Sequence, residues 1–124
     1  LAWLRVFYPY GKGQNPNSLI PMLDQAIKNK EKIFNISQGD QIRDFIKIDQ
    51  VAKAFLNCAR NNVNEIINVG SGEPISIRDF LENYIKKNNS DIKLNLGIYP
   101  RRDYEPLAFW ADINKLKNLK KEEI

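Results

Sequence analysis

The sequence predicts an α/β fold on three observations: short apolar runs that stop at glycine or proline, longer stretches with apolar residues on one helical face, and alternation of the two along 124 residues. Trp3 to Tyr8 (WLRVFY) is aromatic and β-branched and halts at Pro9 and Gly11, the pattern of a strand feeding a loop that runs on to Asn17. Ser18 is a candidate N-cap. Leu19, Ile20, Leu23, Ala26 and Ile27 then recur at helical spacing to about Lys30, with Pro21 tolerated in the first turn. Lys32 to Ser37 alternates like a strand, Gly39-Asp40 supplies a turn, and Ile42 to Ile48 alternates again. Asp49 can cap a helix with the stripe Val51, Ala52, Phe55, Leu56 and Ala59, which Asn61 to Asn64 end. Ile66 to Val69 reads as a buried strand, and Gly70-Ser71-Gly72 after it as a tight turn. Ser76 to Asp79 resembles a capping box opening a helix with Ile77, Phe80, Leu81, Tyr84 and Ile85 on one face. Ile92 to Leu96 is the last strand, and Asp112 caps a closing helix from about Ile113.

The length allows a single domain with a modest core. No apolar run approaches the roughly 20 residues that cross a bilayer, so the expectation is a soluble, cytoplasmic protein with no membrane partner. The start, Leu1 to Phe7, has no initiator Met, basic segment or cleavage signature, and reads as a cut in a longer chain. Cys58 is the one cysteine, in the apolar pattern of a helix, which excludes an intrachain disulfide and reads as core. There is no histidine, which removes hydrolase triads of the Ser-His and Cys-His type and most zinc sites. The net charge of +4 comes from scattered lysines, and the densest basic run, Lys115 to Lys121, suits the last turns of a helix better than a nucleic-acid footprint.

Three stretches could carry chemistry. Gly39 to Asp49 (GDQIRDFIKID) places Arg43 within an alternating strand, where a planar guanidinium must reach solvent or find a partner. Two readings stand: a diphosphate ligand held by parallel hydrogen bonds, or an ion pair with Asp40, Asp44 or Asp49. Arg101-Arg102, framed by Pro100 and Glu105-Pro106, is either an anion clamp or an exposed basic turn. Val69 to Pro74 contains neither G-x-G-x-x-G nor the P-loop pattern and reads as a turn. Tyr8 and Lys12 have the spacing Tyr-x-x-x-Lys, but Pro9 and Gly11 forbid the helix that a catalytic pair of this kind needs.

Five segments in order resemble the extended short-chain dehydrogenase/reductase family, in its branch of NAD-dependent sugar-nucleotide epimerases, dehydratases and reductases. Leu4 to Gln14 is similar to "LR-x-F-N-x-YGPGQ", and Ser18 to Pro21 to the helix start that follows it. Gly39 to Asp49 is similar to "G-x-Q-x-RDF-[IL]-x-V-x-D", Ile67 to Gly72 to "[YIF]N-[IV]-G-[SG]-G", and Arg102 to Pro106 with Ala111-Asp112 to "R-x-x-E-P…AD". The resemblance implies a Rossmann-type enzyme of which residues 1–124 are the carboxyl-terminal part with the small substrate-binding lobe. Residues 1–8 and 66–70 would then be outer strands of a cofactor sheet that lies otherwise upstream.

On that resemblance Arg43 would hold the diphosphate of a nucleotide-sugar and Arg102 the diphosphate or the ribose, with Tyr8 and Asn17 also on the substrate and Pro9 on the cofactor. Tyr8 stands where many members have a phosphate-contacting Asn, and Lys12 where they have Pro. The family's Gly-rich fingerprint, active-site Ser/Thr and Tyr-x-x-x-Lys would all lie before Leu1. The expectation is therefore a substrate-binding portion, inactive alone, with no catalytic residue and no metal site, from a parent that uses NAD or NADP and forms a homodimer. The Phe7-Tyr8-Pro9-Tyr10-Gly11 stretch and the Glu105-Pro106 tail resemble reductases and epimerases of 4-keto-6-deoxy sugars most. The alternatives are a non-catalytic module binding a nucleotide or sugar phosphate, and a small basic nucleic-acid-binding domain.

Overall fold

The computed structural model describes residues 1–119. In chain order the elements are β1 (Trp3–Val6), β2 (Tyr8–Tyr10), α1 (Leu19–Lys28), β3 (Ile33–Asn35), β4 (Ile42–Arg43), β5 (Phe45–Lys47), α2 (Ile48–Arg60), β6 (Ile66–Val69), β7 (Ile75–Ser76), α3 (Ile77–Lys87), β8 (Lys93–Asn95) and α4 (Asn114–Lys117). The chain divides into two compact units where length alone suggested one: Leu1–Lys12, Asp44–Pro74 and Phe109–Ile124 form unit 1, and Gly13–Arg43 with Ile75–Ala108 form unit 2.

Unit 1 is a parallel arrangement with a helical crossover. β1 pairs with β6 in the register Trp3 to Ile66 through Val6 to Val69, and β2 pairs with β5, also parallel, from Tyr8 opposite Phe45 to Tyr10 opposite Lys47. The Phe7 amide donates to Val69 O at 2.9 Å and the Tyr8 amide to Asp44 O at 3.1 Å, so one extended segment passes its ladder from β6 to β5 within two residues. The strand therefore runs through Pro9 instead of stopping there. α2 links β5 to β6 and packs Val51, Ala54 and Cys58 onto Ile46, Ile67 and Val69, with Leu4 and Val6 against the same cluster. Each such Val or Ile side chain contributes about 1.5–3 kcal/mol on full burial. The stripe expected on α2 is rotated: Phe55 and Leu56 are exposed, and Ala54 and Cys58 take the inner positions.

Unit 2 holds α1 and α3. Ile20, Leu23 and Ala26 are buried on α1, Ile77, Leu81 and Ile85 on α3, and the Tyr84 hydroxyl donates to Asp24 Oδ1 at 2.5 Å. The capping box is present in part, with Ser76 Oγ accepting from the Asp79 amide at 3.0 Å. β3 and the segment after the Gly39-Asp40 turn do not pair with each other. β3 pairs in parallel with β8, whereas β4 pairs antiparallel with β7, a two-residue strand that leaves no periodic trace in the sequence. The Ile42 amide also donates to Leu107 O at 2.8 Å, laying residues 107–108 beside β4.

The structure is α/β, but it corrects the expected fold class in one respect. A small substrate-binding lobe is not what dominates the chain, because unit 1 is built from parallel strands joined through a helix, the construction of a Rossmann-type sheet, with an apolar core on one face. Among the described residues no helix is long and apolar enough to cross a membrane.

Candidate functional site

Side chains two apart on a strand share a face, so Gln41 and Arg43 project together from the segment that forms β4. Both are buried, at 6% and 4% exposure. Arg43 Nη1 donates to Ile42 O at 2.8 Å and reaches Leu107 O at 3.5 Å, which fixes the plane of the guanidinium from one corner.

The loop after β8 is tied to the same segment. Arg101 forms an ion pair with Asp40. Gln41 Nε2 donates to Glu105 Oε2 at 3.2 Å, Glu105 Oε1 lies 3.7 Å from Arg102 Nη1, and that nitrogen donates to the Tyr104 hydroxyl at 3.1 Å. Arg102 itself is exposed, so its orientation depends on these contacts. Unit 2 thus places Arg102 and Arg43 on two stretches of chain that run side by side. Asn17 also belongs to unit 2, exposed in the turn before α1, where its amide donates to Asn15 Oδ1 at 2.9 Å.

Tyr8 and Pro9 belong to unit 1, on β2. Tyr8 meets Phe45 edge-on at 5.1 Å and lines a shallow cleft of about 420 Å³ with Arg5, Phe7, Asn68 and Phe109. Pro9 is exposed. Both follow the carboxyl end of β1, the end at which open parallel sheets bind ligands.

Asp44 is the residue that sequence reasoning undervalued. Its side chain is fully buried and accepts four hydrogen bonds: from the Ser71 amide at 2.7 Å, Ser71 Oγ at 2.6 Å, the Gly72 amide at 2.9 Å and the Ala111 amide at 3.1 Å. Gly70 has no side chain for a reason of space, since a Cβ there would lie 2.6 Å from Asp44 Oδ2. The Ser71 and Gly72 amides that a phosphate would need are thus donated to an internal carboxylate. Asp40 and Asp44, two of the ion-pair partners considered for Arg43, are bound to Arg101 and to backbone amides respectively.

Burial raises the pKa of the Cys58 thiol and of the Tyr10 phenol. Cys58 lies in the apolar cluster under α2, the setting of an unreactive thiol. Among the described residues no group of three or more His, Cys, Asp or Glu side chains could hold a metal ion. Of the basic run at the carboxyl end, Lys115 donates to Ile66 O at 3.2 Å and lies 3.8 Å from Glu65, while Lys120 and Lys121 lie outside the described residues.

Comparison with known proteins finds that residues 1–70 match the model of the NAD dependent epimerase/dehydratase family. The chain is 28% identical over 111 residues to dTDP-6-deoxy-L-talose 4-dehydrogenase (NAD(+)) of Aggregatibacter actinomycetemcomitans, covering 90% of this chain and 41% of that protein. It superposes on a UDP-N-acetylglucosamine 4-epimerase from Methanobrevibacter ruminantium M1, in complex with UDP-N-acetylmuramic acid, with a TM-score of 0.83 and 30% identity over 98% of this chain and 40% of the other. It superposes on the UDP-glucuronic acid 4-epimerase of Bacillus cereus, in complex with UDP-glucuronic acid and NAD, with a TM-score of 0.75 and 30% identity over 94% and 37%. The chain spans about two fifths of the length of the curated relatives it matches.

These matches overturn the reading of the chain as a carboxyl-terminal, substrate-binding part only. More than half of it aligns with the model of an NAD dependent family, and an NAD-bound structure overlaps nearly all of it. The expectation of an inactive portion lying outside the cofactor region, and of a chain without the cofactor and catalytic part of the family fold, is corrected with it. The letters G-x-G-x-x-G cannot be read here. That pattern marks only one phosphate turn, and the parallel strands of unit 1 are cofactor-type sheet whether or not they carry it.

Proposed function

This chain belongs to the NAD dependent epimerase/dehydratase family, and on that premise we propose that it serves an NAD-dependent enzyme acting on a sugar linked to a nucleoside diphosphate, by epimerisation, dehydration or reduction. The observation that carries the reading is Arg43, buried on β4 with one corner held by the Ile42 and Leu107 carbonyls. A guanidinium fixed in this way meets a diphosphate with its donors already oriented, so less side-chain entropy is lost on binding. Arg102 adds a second cation on the adjoining loop, and Asn17 a polar contact in the same unit.

In unit 1 the reading assigns Tyr8 to the substrate and Pro9 to the cofactor. The parallel strands and the exposed residues beyond β1 fit a nicotinamide dinucleotide, which when bound would supply the hydride chemistry. Tyr8 and Pro9 would bind and orient the two ligands there. The talose dehydrogenase, by its name, works at position 4 of a 6-deoxy sugar on dTDP, which supports 4-keto-6-deoxy sugars as the substrate class.

The test is Arg43→Ala, titrated calorimetrically with UDP, CDP, dTDP and GDP. The tightest of the four weakens by more than about tenfold, the loss expected when a charge-assisted bidentate contact is removed. Unchanged affinity would remove Arg43 from the substrate site and the reading with it.

A further inference from the structure

Gln41 has no assigned task, yet its side chain joins the segment of β4 to the loop that carries Arg102, as do the surface pair of Asp40 and Arg101 and the bond from Arg43 to Leu107 O. It is buried, its Nε2 donates to Glu105 Oε2 at 3.2 Å, and the other oxygen of that carboxylate faces Arg102 at 3.7 Å. A buried amide requires a partner, which makes this hydrogen bond a fixed point of the loop. The donor is also neutral. It orients the carboxylate without compensating its charge, so the attraction between Glu105 and Arg102 stays intact, whereas a lysine at position 41 would compete for it.

Two residues further on, Arg43 is anchored to Leu107 O, and the Ile42 amide donates to the same carbonyl. Residues 105–108 therefore run beside residues 41–43, with Leu107 O meeting Arg43 and the Glu105 carboxylate meeting Arg102. We propose that Gln41 is a positioning residue, acting through Glu105 to hold Arg102 alongside Arg43 so that both engage one diphosphate. This rests on the reading of Arg43 and Arg102 as substrate ligands.

A double-mutant cycle on the full chain tests it, with the tightest of UDP, CDP, dTDP and GDP as the probe. Gln41→Leu keeps the volume and removes the donor; it weakens binding about fivefold, the worth of one modest hydrogen bond. Arg102→Ala weakens it at least as much, and the double variant is no weaker than Arg102→Ala alone, because Gln41 has nothing left to position. Glu105→Gln is the second variant, retaining an acceptor for Gln41 while removing the charge that faces Arg102. It shows the same non-additivity at the Glu105 step, and Gln41→Met, of similar volume and also without a donor, replaces Gln41→Leu if that variant does not fold. Wild-type affinity in Gln41→Leu, or factors that multiply in the double variant, would overturn the positioning role. If Arg43→Ala also binds normally, or no diphosphate binds the unchanged protein, the substrate reading itself has failed. If Arg43→Ala weakens binding and Gln41→Leu does not, only the positioning role has.

Discussion

Arg43 and Asp44 are neighbours in the chain, opposite in charge and both buried, and they are held in different ways. Asp44 in unit 1 receives three backbone amides and a hydroxyl from Ser71, Gly72 and Ala111. All its donors come from the fold, so its charge organises structure. Arg43 in unit 2 donates to the Ile42 and Leu107 carbonyls, which help to orient the guanidinium. On the proposed reading, one short motif therefore divides its work: the carboxylate closes a turn, and the guanidinium is assigned to a ligand.

Asp44→Ala is the strongest way to break that comparison. It strands the buried Ala111 amide and the part-buried Ser71 and Gly72 amides, and leaving such donors unpaired costs part or all of the desolvation penalty of each. We expect a loss of about 3–5 kcal/mol in urea unfolding followed by circular dichroism, with faster hydrogen exchange at Ser71, Gly72 and Ala111. Ligand separates the two neighbours further. A nucleoside diphosphate at a fixed concentration well above the wild-type Kd should stabilise any Asp44 variant that still folds as much as it stabilises wild type. It should stabilise Arg43→Ala by at least about 1.4 kcal/mol less, the worth of a tenfold loss in affinity. A ligand shift lost with Asp44 and kept without Arg43 would reverse the assignment.

How much of this was legible in the sequence follows from range. β1, β6 and the helices were visible because periodicity is local, and the Ser76 cap because its partner is three residues away. Asp44 reads in the sequence only as an ion-pair partner for Arg43, because its donors lie 27, 28 and 67 residues on. The Gln41 to Glu105 bond spans 64 residues and leaves no spacing to detect. The run from Ile42 to Ile48 reads as one alternating strand, yet it splits at Asp44, where the letters already break step with Arg43-Asp44 both polar, and β4 pairs with β7 while β5 pairs with β2. The order of motifs pointed to the family whose model matches residues 1–70. It misjudged how much cofactor-type sheet the chain contains, because a missing glycine pattern is a weaker observation than a pair of parallel strands.

Gly70→Ala is a smaller intervention on the same contact. A Cβ would stand 2.6 Å from Asp44 Oδ2 and 2.7 Å from the Ala111 Cβ, inside van der Waals distance of two groups that the carboxylate network holds in place. Relief requires lifting the turn and lengthening the amide bonds to Asp44, at a cost of about 1–3 kcal/mol. The same urea series measures it. Wild-type stability would mean that the turn gives way freely and that Asp44 is less rigidly bound than its four donors imply.

The smallest effect contrasts Asp44, buried among donors, with Cys58, buried among apolar side chains in the same unit. Burial raises the folded Cys58 thiol above its ordinary value of 9.0, because the thiolate finds no compensating donor. The sign follows from which state releases its proton first. Below the unfolded value both states hold the proton and the contribution to stability is complete. As pH rises, the unfolded chain ionises first, and the contribution is lost through the folded pKa. Tyr10, also raised by burial, adds a loss of the same sign from 10.0 upward, so a reference variant is needed. Measured from pH 7.5 to 10.5, wild type should lose stability relative to Cys58→Ala by less than either substitution above changes it. A parallel course for the two proteins would mean that the thiolate is accommodated under α2, and that apolar burial in this unit is less strict than the closure around Asp44.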